Sequence, residues 1–143
     1  MKVVHSVSLE TFMYPTEDLE KVRKALDLIL PEKAKLIKER LDSYYGPYII
    51  KLSYEANKAP DIKKVLECLI SKLSRGDKAD VIKTIDERMD ENGNFYLRFD
   101  KQKAYLGELA LGYRGDTIKM RIKISSFPAT LTNMKYNAKI IFE

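Results

Sequence analysis

The heptapeptide Ile118-Lys119-Met120-Arg121-Ile122-Lys123-Ile124 alternates strictly between apolar and cationic residues. A period of two belongs to an extended strand, whose successive side chains point to opposite faces. One face is wholly apolar and seeks a core, and the other carries three cations and seeks water. Such a strand belongs in a sheet with one covered face and one solvated face. The cations recur about 6–7 Å apart along the strand, which is the scale of successive backbone phosphates.

Further strand signals supply the rest of a sheet. Residues 2–12 alternate Val3, His5, Val7 and Leu9 against Val4, Ser6, Ser8 and Glu10. Residues 34–42 and 48–55 read as two more strands joined by the turn Tyr44-Tyr45-Gly46-Pro47. After Gly93 the chain is expected to be mostly extended, over residues 94–100, 106–111, 117–126 and 137–142. Three helices are expected. The first starts at Pro15-Thr16-Glu17-Asp18, with Thr16 as cap; it carries Leu19, Val22, Leu26 and Ile29 on one face and stops at Pro31. The second covers residues 60–74, with Ile62, Val65, Leu66, Leu69, Ile70 and Leu73 as its apolar stripe. The third covers residues 77–89, with Ile82, Ile85 and Met89 inward, and ends at Asn92-Gly93. Strands and helices do not alternate regularly, so the fold class is α+β: a mostly antiparallel sheet with about three helices on one face.

At 143 residues the chain suits one domain, residues 1–143, and no linker-like stretch divides it. No apolar run approaches the ~18 residues of a membrane span, and neither a membrane partner nor a signal peptide is expected. The single Cys68 can neither form an internal disulfide nor build a thiolate zinc cage, which fits a reducing cytoplasm.

Formal net charge is +5, and its location matters more than its size. Residues 1–93 hold 17 Lys and Arg against 17 Asp and Glu, whereas residues 94–143 hold nine against four. The whole excess lies in the last third, an asymmetry that points to a polyanionic partner.

Signatures of catalysis are missing. There is one histidine, no phosphate-binding Walker loop, and no dinucleotide fingerprint among Gly107, Gly112 and Gly115. His5 is expected to be packed or at a sheet edge, and Cys68 to be a buried, inert thiol. Asp86-Glu87 and Asp90-Glu91 crowd a helix C-terminus, where negative charge is mildly unfavourable. No catalytic residue, cofactor or metal is assigned.

Binding residues are easier to nominate. In residues 94–100, Phe95, Leu97 and Phe99 share the face that the core takes, so Tyr96 and Arg98 stand outward with Lys119, Arg121 and Lys123. An aromatic ring beside guanidinium and ammonium groups can stack a base and hold its phosphate. Lys101, Gln102, Lys103 and Tyr105 follow within a few residues, and Tyr44 and Tyr45 offer two more rings on a turn. The segment lacks the opening of the RNA-recognition motif, and that fold is rejected.

These pieces together resemble a known family. The matching residues are Pro15-Thr16-Glu17-Asp18 with Lys21-Val22 and Ala25-Leu26, then Tyr45-Gly46-Pro47-Tyr48-Ile49, then Asp86-Glu87-Arg88. They continue with Asn92 through Gln102, Tyr105-Leu106-Gly107 and Gly115-Asp116-Thr117-Ile118, the run Leu97-Arg98-Phe99-Asp100-Lys101-Gln102 being the most specific. They look like the archaeal RNA-binding family described as predicted exosome subunits. The resemblance implies a fold like that of the ribosomal protein that docks 5S rRNA on the large subunit. It also implies a place beside the RNA-degrading exosome or in ribosomal RNA processing, and it carries over no catalytic residue. The expected function is therefore non-catalytic RNA binding through a basic sheet face, with RNA and exosome or ribosome-biogenesis components as partners. The alternatives are an adaptor that docks an acidic protein and a metal-dependent nuclease using acids near residues 86–91.

Overall fold

In the computed structural model, which describes residues 3–32, 34–42 and 46–143, the alternating segments become a five-stranded sheet. The strands are β1 (Val4–Met13), β2 (Ile37–Leu41), β3 (Ile49–Ala56), β4 (Asn94–Asp100) and β5 (Thr117–Ile124), in the order β2-β3-β1-β5-β4. Every neighbouring pair is antiparallel. Val7, Leu9, Leu52, Tyr54, Phe95, Leu97, Phe99, Ile118, Met120 and Ile122 turn to the covered face and are buried. The α+β class and the face assignments of β4 and β5 are therefore as the alternation requires.

Six helical segments, not three, are found among the described residues: α1 (Leu19–Leu26), α2 (Ala59–Lys72), α3 (Arg75–Lys83), α4 (Ile85–Arg88), α5 (Lys101–Tyr105) and α6 (Leu131–Phe142). Asp18, not Thr16, caps α1, its carboxylate accepting the Glu20 amide at 3.0 Å. Val22, Ala25, Leu26 and Ile29 are fully buried behind that cap. The stripe of α2 buries Ile62, Val65 and Leu69, and Leu73 follows. The expected helix over 77–89 divides at Thr84, whose hydroxyl donates to the Asp80 carbonyl at 2.7 Å and accepts from the Arg88 guanidinium at 2.7 Å. Two expectations about chain ends of the pattern are corrected. Residues 106–111 form no strand; only Leu111 bridges Phe99, and the preceding chain turns at Gly107.

Residues 137–142, expected as a strand, are the second half of α6. Thr130 caps that helix, and Met134, Ala138 and Phe142 recur every four residues on its buried side. The β-branched pair Ile140-Ile141 suggests a strand locally, but the longer helical period prevails. His5 is exposed on a central strand, because the β1–β5 register shifts between Val4 and Ser6. Cys68 is half-buried on α2.

The two edges of the sheet differ. β4 is partly covered: Gly112 donates to the Arg98 carbonyl at 2.8 Å, and the Asp100 amide donates to Ala110 at 2.9 Å. β2 is exposed along its length, and Lys38, Glu39 and Arg40 guard it with charge against pairing with another chain.

Beyond the end of β4 lies the largest departure from expectation. Lys101 was expected among the surface cations, yet its side chain is fully buried. Its ammonium donates to Glu17 at 2.9 Å, to Asp116 at 3.0 Å and to the Phe12 carbonyl, and it lies 5.6 Å from the centre of the Tyr14 ring. Tyr105, also expected as a surface ring, is half-buried and donates its hydroxyl to Glu17. Burial and the Glu17 carboxylate together push the Tyr105 hydroxyl pKa far above its ordinary value. Burial also works to raise the Glu17 pKa. Hydrogen bonds from Tyr105, the Tyr14 amide and Lys101 outweigh it, so this carboxyl sits below its ordinary value of 4.5.

Two predictions follow from this packing. Removing one partner of a buried ion pair strands the others, so Lys101→Ala is expected to cost about 3–5 kcal/mol in urea melts at pH 7. Because Glu17 binds its proton more weakly folded than unfolded, its contribution is present above about pH 4.5 and fades as pH falls through the lower folded value. Glu17→Gln should therefore be less stable at pH 7, and its melts should vary less between pH 5 and 3 than those of the wild type. Parallel acid limbs for the two proteins would refute this. The second concerns Gly93, whose φ is +84° and where a Cβ would lie 2.5 Å from Met134 Sδ and 2.9 Å from the Ile124 carbonyl oxygen. Gly107 has φ +85° and open space around it. Gly107→Ala should cost about 1–2 kcal/mol for the left-handed backbone alone, and Gly93→Ala a further 1–3 kcal/mol or so for overpacking. Equal losses in chemical denaturation would show that α6 is not seated on the Gly93 turn.

Candidate nucleic-acid interface

Strand pairing decides which outward side chains become neighbours. Along β4 and β5, Arg98 faces Lys119, Tyr96 faces Arg121 and Asn94 faces Lys123. Arg98, Lys119 and Arg121 are exposed, and none has an ion-pair partner among the described residues. Lys123 is half-buried and donates to the Asn92 carbonyl. Four cations and one ring thus occupy a single patch on the uncovered face. Directly opposite strand residues lie about 5 Å apart, so Arg98 and Lys119 can reach one phosphate together, and Arg121 and Lys123 follow at about 6–7 Å intervals along β5.

A small turn holds the ring in place. Asp90 accepts the amides of Asn92 and Asn94 at 2.9 Å each, the Asn94 side chain at 3.0 Å and the Tyr96 hydroxyl at 3.2 Å. Desolvation acts to raise the Asp90 pKa, but these hydrogen bonds prevail and lower it. Desolvation and the Asp90 charge raise that of the Tyr96 hydroxyl, so the phenol stays neutral and donating. This explains one of the acids crowding residues 86–91. Asp86 has a different role, pairing with Lys135 of α6 at 2.9 Å.

On the other side of β5 the face changes character. β1 brings Glu10 opposite Lys119 and Ser8 opposite Arg121, and β3 in turn brings Ser53 opposite Glu10 and Glu55 opposite Ser8. These residues, with Ile37, Tyr96, Lys119 and Arg121, line a groove of about 350 Å³ that runs across the strands. A cavity of about 1190 Å³ lies elsewhere, between α2 and the start of β1. Ile62, Leu66, Ile70 and Ile141 make its walls largely apolar, and none of the cationic patch lines it. Size therefore does not single out the site; the clustering of cations does.

Of the residues nominated from sequence, Tyr96, Arg98, Lys119, Arg121 and Lys123 come together in this patch. Gln102 and Lys103 are exposed on α5, outside the paired rows and the groove. Lys101 and Tyr105 turn into the buried network beneath. Tyr44 and Tyr45 lie outside the described residues. Sequence reasoning missed Ser8, Glu10, Ser53 and Glu55. Only the order β3-β1-β5-β4 makes them neighbours of Arg121 and Tyr96.

The chain is 38% identical over 129 residues to the RNA-binding protein PAB1135 of Pyrococcus abyssi, covering 87% of this chain and 84% of that one. It is 33% identical over 126 residues to MJ0213 of Methanocaldococcus jannaschii, covering 82% of each. The solved structure of Mth689, a DUF54 protein from Methanothermobacter thermautotrophicus, superposes with a TM-score of 0.82 at 30% identity, over 99% of this chain and 100% of that one. A family model described as RNA binding matches residues 6–124, which takes in all five strands but the first two residues of β1, and on that match the chain belongs to this RNA-binding family.

Proposed function

We propose that the 143 residues act as one non-catalytic RNA-binding domain that holds phosphates on Arg98, Lys119, Arg121 and Lys123 and stacks a base on Tyr96. The β4–β5 register carries this reading, because it converts two separate alternating segments into one cationic patch around a ring. The description of PAB1135 as an RNA-binding protein supports it. The finer role is that of an accessory factor in RNA processing or degradation, beside the exosome, or in ribosomal RNA maturation. That role rests on the sequence resemblance to the family of predicted exosome subunits, which implies a fold like that of the 5S rRNA-docking ribosomal protein.

The reading separates two kinds of contact by their response to salt. Each cation that meets a phosphate releases counterions, so its loss should flatten the log–log salt dependence by about 0.7 for single-stranded RNA. The triple variant Arg98→Ala/Lys119→Ala/Arg121→Ala should bind a mixed RNA pool more weakly, with a slope reduced by about 2. Tyr96→Ala should lose about 1–3 kcal/mol of binding with the slope unchanged, since stacking frees no ions. All four residues are exposed, so melting midpoints should stay near that of the wild type. A triple variant that binds like the wild type would make the patch ordinary solvated surface. A wild type that ignores RNA at low salt would favour docking of an acidic protein instead.

A further inference from the structure

The uncovered face is divided, and the division has chemical content. One row across the sheet reads Glu55, Ser8, Arg121, Tyr96, and the next reads Ser53, Glu10, Lys119, Arg98. Each row passes from carboxylate and hydroxyl on β3 and β1 to cation and ring or guanidinium on β5 and β4. With strands about 4.8 Å apart, Glu55 stands about 14 Å from Tyr96 along its row. The groove of about 350 Å³ spans this distance. That volume is at the small end for a ligand pocket; it suits a single nucleotide and not the face of a duplex.

The two acids differ in availability. Glu10 is paired with Lys51 at 3.4 Å. Glu55 is exposed and, among the described residues, has neither an ion-pair nor a hydrogen-bond partner. A free carboxylate repels phosphate, so RNA lying on the face must keep its backbone over β4 and β5. It also accepts hydrogen bonds and donates none when ionised. An unpaired base reaching from the cationic patch toward β3 therefore meets an acceptor. Guanine presents two adjacent donors on its Watson–Crick edge, N1–H and the N2 amine, in a spacing that matches the two oxygens of one carboxylate. Uracil presents one donor between two carbonyl oxygens, which a carboxylate repels. Ser8 and Ser53 lie beside Glu55 and Glu10 and can serve the remaining base atoms as donor or acceptor.

We propose that the groove selects an unpaired guanine in single-stranded RNA, with Glu55 as the residue that reads its Watson–Crick edge. This rests on the RNA-binding reading above and adds base selection to it. The test is direct binding of RNA heptamers that are uridine at every position except the fourth, which is guanosine, inosine, adenosine or uridine. The wild type should bind the guanosine heptamer roughly tenfold more tightly than the all-uridine one, the order expected of one bidentate base contact. Inosine, lacking the N2 amine, should fall between them. Glu55→Gln should bring the guanosine heptamer to the all-uridine level without weakening the all-uridine one, and the preference should be the same at every salt concentration. Equal wild-type affinities for guanosine and uridine, or a preference that survives Glu55→Gln, would overturn the selection while leaving RNA binding intact. If no heptamer and no longer RNA binds, the RNA-binding reading itself falls and the selection with it.

Discussion

An ammonium group sealed from solvent has no stable place in a protein unless its charge is answered. Lys101 is answered by Glu17, Asp116, the end of β1 and the face of Tyr14. Lys101 and these partners come from three different parts of the chain, so the network is also a fastener. It ties the exit of β1 and the entry of α1 to the junction of β4 with α5 and to the residue just before β5. The two strands that carry the cationic patch are thereby pinned, together with β1, at one end. A residue that looks like one more surface cation thus serves to fix the strands on which the other cations stand. The two carboxylates around one ammonium also make the network net negative, which is tolerable because Asp116 retains partial exposure.

At the other end of the sheet the fastening is apolar. Gly93 turns the chain into β4 with a left-handed backbone, and Met134 of α6 fills the space that a side chain would need. Phe142, at the far end of the same helix, meets Phe95 with ring centres 5.7 Å apart. Both ends of the β4–β5 ribbon are therefore held, one by charge and one by packing. The Asp90 turn sits at this second end and aims Tyr96, so ring position is inherited from the core. A ring fixed in advance loses less freedom on meeting any partner than a mobile one.

The parts of the fold legible in sequence were those with a short, unbroken period. Alternation placed β4 and β5 within two residues, chose the right faces and so found the five residues of the patch. Longer or interrupted patterns were misread. The period-four row of α6 was overridden by Ile140-Ile141, and Thr84 broke a helix in two through side-chain hydrogen bonds that no periodicity records. Lys101 was misplaced because composition treats lysine as surface, and its partners Glu17 and Asp116 lie 84 and 15 residues away in the chain. The carboxylate half of the groove failed to appear for a different reason. Neighbourhood across a sheet depends on strand order, which local pattern does not contain.

Placing acids so near a cationic patch looks self-defeating, and distance decides whether it is. Glu55 and Arg121 are separated by β1 and therefore by about 10 Å. The screening length at physiological ionic strength is about 8 Å, so over the exposed face each charge is largely hidden from the other. Arg121 keeps its attraction for a phosphate, and Glu55 keeps a free carboxylate. Glu10 is closer, directly opposite Lys119, but Lys51 on its other side takes up its charge at 3.4 Å. The sheet thus carries both signs without cancelling either where it matters. A chain of phosphates laid on such a face has one track of low energy, over β4 and β5, and bases on that track have one polar direction in which to reach.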